Sequence, residues 1–197
     1  YLMKQKAYKE ALLKLSENDS IQLVLNLRDS TINLSIKGVF IHQTKIEEFK
    51  KDKFLNKLSL VQEIKLLSQP ISVQSQYATI VKEPIVVNHA PKDTIEAALN
   101  VSQPDTLIQN PAFVAFSLEH NLRLILEQDE NTDFNDKWEK FRFYSHLSSE
   151  TILRSAEHYF GFKKQEYIPT ITIKIPVDDL RAIYRALPSR AFIVVYL

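Results

Sequence analysis

The chain predicts an α+β, β-rich fold: a mixed β-sheet or sandwich core with an N-terminal helix and a C-terminal strand–helix–strand unit. Three observations carry this expectation. Ile171, Ile173 and Ile175 alternate with Thr172 and Lys174, the period of a half-buried strand. After Pro176, which can open a helix without losing a hydrogen bond, Leu180, Ile183, Tyr184 and Leu187 recur at three- and four-residue spacing. Pro188 stops that helix, and residues 191–197 are a nearly unbroken apolar run, as in a strand buried on both faces.

The remaining elements follow in chain order. Leu2, Met3, Ala7, Ala11, Leu12 and Leu15 give residues 1–17 an apolar side, with Lys and Glu covering the rest, so a helix is expected there. Asn18-Asp19-Ser20 ends it. We therefore expect residues 1–19 as an N-terminal helix or stalk and residues 20–197 as a single β-rich domain. Ile21, Leu23, Leu25 and Leu27, then Ile32, Leu34 and Ile36, alternate with polar residues. With Lys37-Gly38 leading into Val39-Phe40-Ile41, they read as a two- or three-stranded meander. Residues 46–58 read as a short helix with a solvated, mixed-charge face around Phe49 and Phe54. Residues 59–67, 71–77 and 80–87 read as strands, and residues 91–99 as a short helix. Residues 112–118 and 122–128 form a hairpin around Glu119-His120-Asn121. Residues 148–160 form a helix capped by Ser148 or Ser149 and ended by Gly161.

Composition narrows the function. The chain has 197 residues, 45% of them hydrophobic, enough to bury a substantial core. Its 25 basic and 24 acidic residues are interspersed, which gives no basic footprint for nucleic acid. No apolar run reaches the roughly 18–20 residues of a membrane span. The start at Tyr1 rather than Met is compatible with a trimmed leader or anchor. With no Cys, the chain has no disulfide, no thiolate metal site and no cysteine nucleophile. Its two glycines, Gly38 and Gly161, cannot build a phosphate-cradling loop or a dinucleotide fingerprint. No cofactor or metal is expected.

Two segments resemble a known family. The first, IQLVLNLRDSTINLSIKGVFIHQTKI, resembles the opening strands of L,D-transpeptidase catalytic domains. The second, TIKIPVDDLRAIYRALPSRAFIVVYL, is similar to the strand, short helix and terminal strand that close those domains. The resemblance covers roughly the first and last quarters of the chain. It implies a bacterial cell-envelope or periplasmic protein, with peptidoglycan or an envelope protein as partner. That family uses a Cys thiolate activated by His, within Ser-His-Gly-Cys. Carried over by position, the nucleophile falls on Thr172, and the family's Arg falls on Lys174, which lacks the planar fork of a guanidinium. A Thr hydroxyl is a far weaker nucleophile and needs a positioned base. The resemblance therefore implies a catalytically inactive, degenerate domain that binds a peptide, a glycan or a partner protein.

The other chemical candidates have plain structural explanations. His42 has no ligand or carboxylate at metal spacing, and His120 sits beside Glu119 in a turn. Ser145-His146 and Glu157-His158 are sequence neighbours, which on an extended strand point to opposite faces. Glu47-Glu48 and Asp178-Asp179 read as helix-start charges. Trp138, Phe141, Phe143 and Tyr144, interleaved with Lys137, Lys140 and Arg142, match an aromatic-basic surface for sugars or bases. Alternation on a strand would instead place many of them in a core. An enzyme drawing Ser, Thr or carboxylate chemistry from the unmatched middle of the chain is the alternative to a binding protein.

Overall fold

A computed structural model describes residues 2–67, 69–82, 111–129, 133–160 and 167–196. The fold is α+β and β-rich. Its strands are β1 (Gln22–Asn26), β2 (Thr31–Ile36), β3 (Val39–Lys45), β4 (Glu48–Lys51), β5 (Ile71–Ala78), β6 (Phe113–Leu118), β7 (Leu122–Gln128), β8 (Thr170–Ile175) and β9 (Phe192–Tyr196). The α-helices among the described residues are α1 (Leu2–Ser16), α2 (Leu60–Leu67), α3 (Phe134–Phe160) and α4 (Val177–Ala186).

One mixed sheet contains all nine strands of the described residues, in the order β3-β2-β1-β9-β5-β6-β7-β8-β4. β9 runs parallel to β1, with Leu23 opposite Ile193, and antiparallel to β5, with Ile71 opposite the same Ile193. The expected β1–β3 meander, β6–β7 hairpin and β8-α4-β9 unit are all present. Lys37 and Gly38 both have positive φ, as a two-residue hairpin turn between twisted strands requires.

The two end strands, β3 and β4, are consecutive in the chain and separated only by Ile46 and Glu47. Ile46 donates its N–H to the Ser30 carbonyl at 2.8 Å, and Glu47 donates to the Lys174 carbonyl at 3.0 Å. One peptide unit thus joins the start of β2 to β8, so the sheet curls until its ends meet there. Inside the curl, Leu180, Ile183 and Tyr184 of α4 pack with Leu25, Ile32, Phe116, Leu124, Ile173 and Val195 in the main core. Each such aliphatic side chain contributes about 1.5–3 kcal/mol on burial.

Two helices cover the outer face. Ala11 and Leu15 of α1 bury Val24 and Val194, while Tyr8 stacks on Tyr196 with ring centroids 4.5 Å apart. Phe143 and Leu147 of α3 cover Phe113, Ala115 and Ile125.

Several expected elements are corrected. Residues 46–58 are not a helix. They supply β4, paired to β8, and a 3-10 turn at Leu55–Lys57, because the edge of β8 offers ladder hydrogen bonds that a charged four-residue segment cannot match alone. Residues 59–67 are not a strand but hold α2. Ser59 and Gln62 form a reciprocal cap, with Gln62 Oε1 accepting from the Ser59 N–H at 3.0 Å and the Ser59 hydroxyl accepting from the Gln62 N–H at 3.4 Å. The helix expected at 148–160 begins at Phe134, so Ser148 is no cap. Its hydroxyl instead donates back to the Tyr144 carbonyl at 2.8 Å. β5 ends at Ala78, and Val81 and Lys82 are not in a strand. Residues 83–87, the helix expected over 91–99 and Gly161 lie outside the described residues.

Candidate functional site

On β8, the apolar partners Ile171, Ile173 and Ile175 face the core, which turns Thr172 and Lys174 to the outer face. The ladder sets these two residues in rows across three strands. Glu48, Lys174 and Glu127 are in register on β4, β8 and β7, as are Lys50, Thr172 and Ile125. Helix α3 lies over β6 and β7 on this face. Its residues Lys140 and Tyr144, one turn apart, are therefore brought against the rows.

Together, Glu48, Phe49, Lys50, Glu127, Lys140, Tyr144, Thr172 and Lys174 line a pocket of about 220 Å³. Glu127 is a buried carboxylate in an otherwise largely apolar strand. It is balanced by Lys140 Nζ at 2.6 Å and by the Tyr144 hydroxyl, which donates to its other oxygen. Burial and the neighbouring Glu127 carboxylate raise the Tyr144 pKa, so this phenol keeps its proton; Thr172 lines the same pocket.

At the outer rim, Lys174 Nζ lies 2.5 Å from Glu48 Oε2, and Lys50 Nζ lies 3.0 Å from Glu48 Oε1. Hydrogen bonds from Lys174 and Lys50 lower the Glu48 pKa to about 2, and the bond to Glu48 raises that of Lys174. The pocket thus holds three ammonium groups, two carboxylates, one phenol and one secondary alcohol.

Thr172 and Lys174 both lie in this pocket, and no histidine among the described residues lines it. His42 Nε2 is 3.0 Å from Thr44 Oγ1 and 3.2 Å from Asp179 Oδ1, a pairing that ties β3 to α4. His120 is exposed in the β6–β7 turn with φ +60°. Ser145 and His146 are exposed on α3, where His146 stacks on Tyr77 with centroids 3.9 Å apart. The side chains of Glu157 and His158 lie outside the described residues. Asp178 and Asp179 do occupy the first turn of α4, whereas Glu47 and Glu48 start no helix and belong to the β3–β4 junction and to β4.

The aromatic-basic cluster is helical, which corrects the strand expected there. Phe143 is buried, Tyr144 enters the pocket, and Trp138 and Phe141 stack on each other at the exposed surface. Among the described residues, no group of three or more His, Cys, Asp or Glu converges as a metal site. No helix among them is long and apolar enough to cross a membrane.

Lys50 and Glu127 carry no site motif in the sequence, Glu48 reads there as a helix-start charge, and Lys140 and Tyr144 appear only within the aromatic-basic cluster. Two signals point to part of the set: a carboxylate inside the largely apolar run Leu122–Gln128, which needs a partner, and Lys140 and Tyr144 at four-residue spacing. No family model matches the chain, and no curated protein or solved structure matches it.

Proposed function

We propose that this chain is a non-catalytic binding protein of the bacterial cell envelope, built on a degenerate L,D-transpeptidase-like domain. Its pocket over Thr172 receives part of a peptide, a glycan or a partner protein. The observation that carries this reading is the company Thr172 keeps. The hydroxyl at the position of the resembled nucleophile sits beside a phenol that holds its proton, and the ammonium groups around it face carboxylates. Such a set offers complementary hydrogen bonds and charge to a polar ligand but no ready base for an alcohol.

The test is titration of a peptidoglycan stem tetrapeptide into the protein, followed by NMR, with product formation monitored in parallel. Saturable shifts at Thr172 and Tyr144 without turnover are expected. Turnover abolished by Thr172→Ala would overturn the reading.

That second outcome would favour the alternative, a hydrolase or transferase. The specific observation behind it is that the Tyr144 hydroxyl donates to Glu127 in the pocket that Thr172 also lines. In that case the Thr172 proton would pass by way of the Tyr144 hydroxyl to Glu127 as Thr172 Oγ1 adds to an acyl carbon and the carbonyl π pair moves onto its oxygen. That pair would then re-form the carbonyl as the bond to the leaving amine or alcohol breaks, with the proton returning from Glu127 through Tyr144 to the leaving group.

A further inference from the structure

In the rim of the pocket, two ammonium groups already hold a carboxylate by both of its oxygens. Lys174 takes Glu48 Oε2 at 2.5 Å and Lys50 takes Oε1 at 3.0 Å. Charge-assisted contacts of this kind are among the stronger polar interactions. Yet the carboxylate that fills the clamp is poorly secured. Glu48 stands on a four-residue strand whose only strand neighbour among the described residues is β8, and its side chain is 44% exposed. Behind it lies space of about 220 Å³, lined in part by Thr172 and Tyr144. The lining carries Lys50, Lys140 and Lys174 against Glu48 and Glu127, a formal excess of one positive charge. With Glu48 swung outward, the excess becomes two, and Glu127 remains engaged by Lys140 and Tyr144.

We infer that Glu48 is a built-in stand-in for a ligand carboxylate, and that the Lys50–Lys174 clamp exchanges it for the C-terminal carboxylate of a peptide. This deepens the binding reading above and rests on it. The entering carboxylate takes the two ammonium groups, and Glu48 rotates into solvent at the sheet edge. The residue before the carboxylate fills the pocket over Thr172, whose small volume admits little more than one small side chain and its backbone. Glu48 thereby weakens every anionic ligand by competing with it, and selects those that also satisfy the hydroxyls beneath.

The probe is N-acetyl-trialanine, compared with its C-terminal amide, titrated into the wild-type protein, Glu48→Gln and Lys174→Met and followed by NMR. The free acid is expected to bind, Glu48→Gln to tighten it at least fivefold, and Lys174→Met to lose it, with the amide at least tenfold weaker throughout. Unchanged melting temperatures verify that the variants fold. Acid and amide binding equally well at Thr172 would overturn the clamp while leaving the binding reading intact. Failure of the acid to bind Glu48→Gln would also overturn it, and the stem-peptide titration then judges the broader reading by itself.

Discussion

Lys174 and Glu48 face each other across the last strand pair of the sheet, in register and 2.5 Å apart. The hydrogen bonds from Lys174 and Lys50 set the acid–base behaviour of Glu48. Its folded pKa of about 2 lies below the ordinary 4.5, so whatever the pair adds to stability is fully present above pH 4.5 and is lost as pH falls through about 2. A carboxyl-carbon NMR titration should find the Glu48 midpoint near 2, and Lys174→Met should move it upward.

Deeper in the same pocket, Glu127 is only 3% exposed and depends on Lys140. Lys140→Met strands that charge and should cost about 1–3 kcal/mol in denaturant unfolding. In a Glu127→Gln background the same substitution should cost clearly less, because no buried charge remains. Equal costs in the two backgrounds would show that the pair is not coupled.

Gly38 has φ +78°, and a Cβ there would stand 2.9 Å from Ser16 Cβ at the end of α1. Gly38→Ala should therefore destabilise through two separate effects, a left-handed backbone strain of about 1–2 kcal/mol and a steric clash. Ser16→Gly, added to it, should recover the clash portion alone. Thermal melts of the two variants and of Ser16→Gly itself separate the terms.

Gln22 is 1% exposed on β1, and neither end of its side-chain amide has a hydrogen-bond partner among the described residues. Replacing a buried unpaired amide with an apolar group of similar shape removes a desolvation cost of about 1–3 kcal/mol. Gln22→Met should accordingly raise the melting temperature. A lower one would mean that the amide makes contacts that matter to the fold.

Helix α1 covers Val24 and Val194, both fully buried. Removing residues 1–19 should leave a cooperative but weaker transition and a protein that self-associates through the uncovered patch, visible by light scattering. Removing residues 192–197 should be far more severe. It takes away β9, which joins β1 to β5, and no cooperative transition should remain.

Much of this architecture was legible because the residues concerned are buried on a regular period. The alternation in β8, the spacing in α4 and the apolar run of β9 state their own burial. β4 was illegible for the opposite reason. Its conformation is set by pairing to β8, over a hundred residues away, while its local charges suggest a solvated helix. The first half of α3 is hidden in the sequence because its aromatics also fit a two-residue period. Phe143 and Leu147, four apart and both buried, carry the helical one. In the site, Thr172 and Lys174 were reached only through resemblance. Glu48, Glu127, Lys140 and Tyr144 come from three separate elements, and only the curled sheet brings them together.

The placement of β9 also governs how the chain reaches this state. Leu23 pairs with Ile193, so the central junction of the sheet closes a loop made of almost the entire sequence. Loop-closure entropy is lost before such a contact gives anything back, and folding slows as mean contact separation grows. The meander and the β5–β8 portion can assemble separately, each exposing the edge of β1 or β5 until β9 docks between them. Refolding should accordingly run in milliseconds to seconds rather than microseconds. In that interval, open strand edges make the half-assembled chain prone to pairing with its neighbours, so refolding yield should fall as protein concentration rises.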